Sequence, residues 1–234
     1  MRRICFLGDS FAHGTGDETS RGWVGRLIEG EAARGCPVVA FNLGLPLEIT
    51  PHLAERWRGE VERRLIGAEA GDTGLVLAFG LDDMSDMDDL GIRVDLPQSM
   101  AIAENLISEA STRHPLLWIG PPPARSKGSL PVGGGHRVRY RKERLGALNL
   151  AYRRIAEDLR VPYLDLHGDA AVEAAFRGAL GPDGGAHQAV ADRVAGWLPW
   201  RRWFDPAPSN PAKRPPPPSA SDFKPLRATG GFLS

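Results

Sequence analysis

The sequence predicts an α/β protein: a three-layer α/β/α domain on a parallel sheet of about five strands. Three observations predict it. Short apolar runs recur along the chain: ICFL (4–7), VVAFNLG (38–44), GLVLAFG (74–80), LLWIG (116–120) and VPYLDL (161–166). These runs are continuous rather than alternating, as strands buried on both faces require. Between them lie longer segments whose apolar residues return every three or four positions, the period of helices that cover such a sheet.

Taken in order, the strand at 4–7 closes on Gly8, and residues 22–34 follow as a helix with Trp23, Leu27 and Ile28 on one face. The run at 38–44 reads as a second buried strand. A helix over 50–65 carries Leu53, Trp57, Val61 and Leu65 at steps of four, and Thr50-Pro51 supplies an N-cap followed by a first-turn proline. After the third strand come a helix at 97–113, the fourth strand with Pro121-Pro122-Pro123 behind it, and a helix at 140–159 with Leu145, Leu148, Tyr152, Ile155 and Leu159 inward. The fifth strand precedes two helical pieces near 169–179 and 187–199. The glycine-, serine- and arginine-containing segment 124–139 reads as a mobile connection, with the rim of a pocket as the other possibility.

At 234 residues, 42% hydrophobic and 25% charged, the chain has room for one ample globular domain. Positive and negative side chains balance at 29 each, so no basic field points to nucleic acid. No apolar run approaches the roughly 18–20 residues of a membrane span. Arg2-Arg3 is followed by only Ile4–Leu7, too short for a secretory signal, and a cytoplasmic location is the expectation. Cys5 and Cys36 are expected to be buried free thiols. Residues 1–204 form the predicted domain. Residues 205–234 hold eight prolines in thirty positions and read as a disordered, inert tail with a polyproline stretch at 215–218, docking to an SH3-type partner being the lesser alternative.

The chemistry is expected at the carboxyl ends of the strands. The glycines at 8, 14 and 16 miss the dinucleotide fingerprint, and no Gly-Lys-Ser/Thr completes a phosphate loop. Ser10, two residues past the closing glycine of the first strand, is instead placed as a nucleophile. A serine needs an imidazole to take its proton and donors to hold an oxyanion, and six histidines are available, at 13, 52, 114, 136, 167 and 187.

Gly8-Asp9-Ser10, Asn42-Leu43-Gly44, Gly80-Leu81-Asp82-Asp83 and Asp183…His187, each at a strand end or before the last helix, together resemble the blocks of the SGNH/GDSL hydrolase family. GWVGRL (22–27), IGPPP (119–123) and VPYLDL are similar to its bacterial esterases, and the resemblance spans roughly residues 3–199. It implies a flavodoxin-like sheet and a serine esterase or lipase-like acyl hydrolase that cleaves small acyl esters through an acyl-enzyme, without metal or organic cofactor. By position it implies Ser10 as nucleophile, His187 as general base and Asp183 as the acid that orients it. The oxyanion hole would be Ser10 N–H, Gly44 N–H and the side chain at Asp82.

Two features depart from the family pattern. Asp82 stands where the family has asparagine, and an ionised carboxylate only accepts hydrogen bonds. Burial could keep it protonated, so that it donates, or it could turn away. Asp183 precedes His187 by four residues instead of three, and Gln188 replaces the usual proline. These departures motivate an alternative: a catalytically weak member that binds an acylated ligand or partner. The stretch DDMSDMDD (82–89) fails the calcium-loop pattern at Leu90 and Pro97 and is expected to be a solvated acidic loop. Asp9 reads as a turn-capping residue.

Overall fold

A computed structural model describes residues 1–88, 90–124, 128–177 and 182–204. Its elements in chain order are β1 (Arg3–Gly8), α1 (Ser10–His13), α2 (Gly22–Ala33), β2 (Val39–Gly44), α3 (Thr50–Leu65), β3 (Thr73–Ala78), β4 (Ser85–Met87), α4 (Leu96–Arg113) and β5 (Leu116–Ile119). There follow β6 (Leu130–Gly133), β7 (His136–Tyr140), α5 (Lys142–Leu159), β8 (Tyr163–Leu164), α6 (Ala170–Ala175), α7 (Gly184–Ala195) and α8 (Leu198–Arg201). The tail at 205–234 lies outside the described residues.

Five strands form the parallel sheet β2-β1-β3-β5-β8. Numbered within the sheet alone, this is the 2-1-3-4-5 order of flavodoxin-like folds, whose direction of winding reverses between the first and third strands. The order explains the burial. Central β3 is buried at every position, whereas β2 is an edge strand and leaves Val39 exposed, so the expectation that 38–44 is fully buried does not hold. β8 keeps only two paired residues of the expected 161–166 run. Leu53, Trp57, Val61 and Leu65 are buried along α3, as their spacing requires. The N-cap of that helix is Ile49, however, and the Thr50 hydroxyl bonds Asp83 instead of capping. Cys5 is buried in β1, but Cys36 lies beyond α2 and is only half-buried.

A second, three-stranded antiparallel sheet, β4-β7-β6, corrects two expectations. Part of the 124–139 segment is a β-hairpin turning on Gly134 and Gly135, both with positive φ. Within the described part of the 82–89 stretch the expected solvated loop is not found: Asp82, Asp83 and Asp86 are buried, and β4 pairs with β7. Asp86 bonds Arg141 and Arg144, so its carboxyl stays below the ordinary range despite burial. Among the described residues no helix is long and apolar enough to cross a membrane.

β1, β2 and β3 end in register, Gly8 beside Gly44 and Ala78, so the residues that follow all emerge at one sheet edge. Gly8 is required there. Its φ is +155°, and a Cβ on it would stand 1.7 Å from the Ala78 carbonyl oxygen. Gly8→Ala should therefore cost about 3 kcal/mol or more, a fall in Tm of roughly 6–12 °C. A thermal melt unchanged from wild type would contradict this packing.

Candidate active site

Ser10 opens the short helix α1 directly beyond β1. Asp9 precedes it as the N-cap and accepts the Phe11 N–H at 3.0 Å. The other Asp9 oxygen accepts the Leu81 N–H at 2.8 Å, which ties the end of β1 to the segment after β3. Asp9 thus fixes the turn, as expected of it.

Ser10 has two partners of different kind, one at its side chain and one at its backbone. The Leu47 N–H donates to Ser10 Oγ at 2.7 Å. Asp82 accepts the Ser10 N–H at 3.1 Å to Oδ2, and the Ser10 side chain lies close enough to lower the Asp82 pKa. The Tyr140 hydroxyl donates to Asp82 Oδ1 at 3.0 Å. Asp82 therefore does not turn away; it faces the serine. Burial raises its carboxyl above the usual range, and the bonds from Ser10 and Tyr140 and the nearby Arg93 charge oppose that rise. Burial raises Asp9 further, and the neighbouring Asp82 charge adds to it.

The expected oxyanion donors divide. Gly44 N–H is bonded to its neighbour Asn42 Oδ1 at 3.1 Å and does not face Ser10. Gly44 is needed for a close approach instead, since a Cβ there would meet the His13 nitrogen at 2.2 Å. The donor that reaches Ser10 Oγ is Leu47, which the sequence reading missed. Leu47 holds a left-handed backbone with φ +60°, and the Arg93 guanidinium bonds its carbonyl at 2.9 Å. A glycine there would have signalled the turn; a leucine hides it.

His187 makes no hydrogen bond to Ser10, both ring nitrogens being engaged elsewhere. Helix α7 starts at Gly184, so His187 lies inside the helix, and its N–H bonds the Asp183 carbonyl. His187, Val190, Ala191 and Val194 form one buried stripe at helical spacing. The ring is fully buried and stacks on Phe11 at 6.0 Å. Nδ1 accepts the Trp23 N–H and Nε2 faces the Thr15 carbonyl, each at 3.2 Å, so the partners specify a neutral ring protonated on Nε2. Burial holds its pKa below the ordinary histidine value. Asp183 is the N-cap of α7, accepting the Ala186 N–H at 2.9 Å, and does not orient the ring through its carboxylate. The extra residue between the two side chains is the physical reason: it places the histidine one full helical turn from the cap.

A cavity of about 370 Å³ opens onto Ser10. Leu81, Leu130, Pro131, Val132 and Val138 give it largely apolar walls, and Asp183 and Tyr140 also border it. Five of its eleven lining residues come from the hairpin β6–β7, so this part of the 124–139 segment contributes to the rim of a pocket.

The sequence matches the pattern of the GDSL-like Lipase/Acylhydrolase family over residues 6–191. The protein belongs to that family. Among solved structures, this GDSL-like protein is similar to the lipase/acylhydrolase from Enterococcus faecalis. The two are 22% identical with a TM-score of 0.66, over 86% of this chain and 97% of the other. It is also similar to an acetylxylan esterase from Geobacillus stearothermophilus, at 13% identity and a TM-score of 0.60, over 85% and 95% of the two chains. At these identities the likeness concerns the fold. No curated protein matches the sequence.

The buried state of His187 has a pH signature. A folded-state pKa below the unfolded value gives stability that is full above about pH 6.5 and is lost as pH falls through the lowered folded value. Urea unfolding of wild type should therefore lose stability relative to His187→Gln between roughly pH 7.5 and pH 5. Parallel pH dependences in the two proteins would contradict a buried neutral ring.

Proposed function

We propose that this GDSL-like protein hydrolyses esters of short to medium apolar acyl groups, with Ser10 as the attacking nucleophile. The observation that carries the reading is the Ser10 hydroxyl just beyond the end of β1, held by the Leu47 N–H and opening onto an apolar cavity. In this reading the acyl chain lies against Leu130, Val132 and Val138 of the hairpin. The carbonyl meets Ser10, and the Leu47 N–H supports the charge that develops on its oxygen. Family membership supports the reaction class. No organic cofactor or metal takes part in it.

A fluorophosphonate probe should label wild-type protein at Ser10, located by peptide mass spectrometry, and should leave Ser10→Ala unlabelled. Among nitrophenyl esters, two further buried methylenes are worth about 1.6 kcal/mol, so kcat/KM for butyrate should exceed that for acetate roughly tenfold. A preference for acetate would contradict the apolar acyl pocket.

A second reading, binding of an acylated ligand with little turnover, is favoured by one observation. The Ser10 N–H is already engaged by Asp82, and both His187 nitrogens are engaged by backbone. Folded wild-type protein that binds a fatty acyl ester yet forms no adduct at Ser10 would establish this reading over the first.

A further inference from the structure

We propose that Asp82 is the general base of this site: it takes the Ser10 proton and, once neutral, donates to the oxyanion it helped to create. The inference rests on Ser10 being the nucleophile. It assigns the proton to a residue that the family pattern would use only as an oxyanion donor.

The geometry supplies the argument. Asp82 accepts the Ser10 N–H at 3.1 Å, which holds its carboxyl against the serine and within the influence of the serine side chain. His187 has no nitrogen to offer, because Nδ1 is held by Trp23 and Nε2 by Thr15. His13 bonds Thr15 Oγ1 in an exposed turn, and His136 bonds Asp88 on the hairpin. Asp82 is in turn fixed by the Tyr140 hydroxyl at 3.0 Å, so its position is set independently of the serine.

Charge accounting favours the same assignment. A carboxylate beside an oxyanion would place two negative charges in one buried site. Proton transfer removes the conflict, because the single negative charge moves from Asp82 to the carbonyl oxygen while the carboxyl gains an O–H. A neutral carboxyl is also a weaker acceptor than a carboxylate, so the Ser10 N–H is released toward the oxyanion as that charge forms.

In full, the Ser10 Oγ–H proton passes to the Asp82 carboxylate as the Oγ–C bond forms, and the carbonyl π pair moves onto oxygen. Collapse breaks the bond to the alcohol oxygen, which takes the proton from Asp82 and leaves an acyl-enzyme. Water then gives a proton to Asp82 as its oxygen bonds the acyl carbon, and Ser10 departs with that proton. The catalytic groups end as they began, and no oxidant or further reactant is needed.

The groups that face Asp82 set the pH at which it can act. Asp9 beyond β1 and Asp83 beside it are buried acids, Arg93 after β4 is the nearby cation, and Tyr140 on β7 is a donor. Burial and Asp82 hold the Tyr140 hydroxyl protonated well above its ordinary range, so it remains a donor throughout. Burial raises Asp82 itself, which makes it a stronger proton acceptor than an exposed aspartate.

The test is the rate of fluorophosphonate labelling at Ser10 against pH in wild type, Asp82→Asn, Tyr140→Phe and His187→Gln, each first checked for a cooperative thermal melt. The wild-type rate should rise with pH as Asp82 ionises. Asp82→Asn should label at least about 10²-fold more slowly and lose that rise. Tyr140→Phe should move the rise upward by about one pH unit, because the carboxylate loses a donor. His187→Gln should keep both the rate and the rise. Labelling of Asp82→Asn at the wild-type rate or faster would overturn the proposal, as would loss of labelling in folded His187→Gln alone. If Asp82→Asn does not fold, a rise that stays in place in Tyr140→Phe overturns it. Failure of wild type to label would overturn the nucleophile reading and this inference with it, whereas labelling indifferent to Asp82 overturns only the latter.

Discussion

The contact between the Asp82 carboxylate and Ser10 is the constraint around which the edge of the sheet that carries Ser10 is arranged. A buried carboxylate is costly unless its oxygens are satisfied. Here the Ser10 N–H donates to one oxygen and the Tyr140 hydroxyl to the other. Tyr140 is available only because β7 pairs with β4, three residues beyond Asp82 in the chain. The hairpin that brings the tyrosine also brings Leu130, Val132 and Val138, and so the apolar wall of the cavity. Satisfying the carboxylate and walling the pocket are thus one structural act. Asp9 completes the arrangement by bonding the Leu81 N–H, which keeps the turn after β3 against the turn after β1.

Helix α7 shows the opposite outcome for a candidate catalytic side chain. The Asp183 cap and the start at Gly184 place His187 on the stripe that packs toward α2, where Trp23 receives it. The ring helps fill the core and bridges two backbone groups, Trp23 N–H and Thr15 carbonyl. One inserted residue is enough to make the difference, since a helix advances about 100° per residue.

The parallel sheet was legible in the sequence because its signals are local: five continuous apolar runs and helices with a clear period. So was the placement of Ser10, which depends only on the strand that precedes it. The antiparallel sheet was less visible. β4 spans three residues, Ser85–Met87, within an acidic stretch, and its burial depends on partners 50 and more residues away. The hairpin did carry a signal. Gly134-Gly135 suits a tight two-residue turn, and HRVRY alternates, with Val138 and Tyr140 inward. The roles of Leu47 and His187 were hidden for backbone reasons, an unexpected left-handed leucine and a helix that begins earlier than 187. Asp82 was recognisable as a departure, but the direction in which its carboxyl points depends on Tyr140, which sequence distance concealed.

The most direct measurement is a carbon-13 NMR titration of the Asp82 carboxyl, assigned by its loss in Asp82→Asn and repeated in Ser10→Ala. A buried carboxylate held by Ser10 should titrate above the ordinary aspartate value of about 4. It should titrate higher still in Ser10→Ala, where the nearby hydroxyl is gone. A midpoint at or below the ordinary value, or one indifferent to the loss of the Ser10 hydroxyl, would contradict the account.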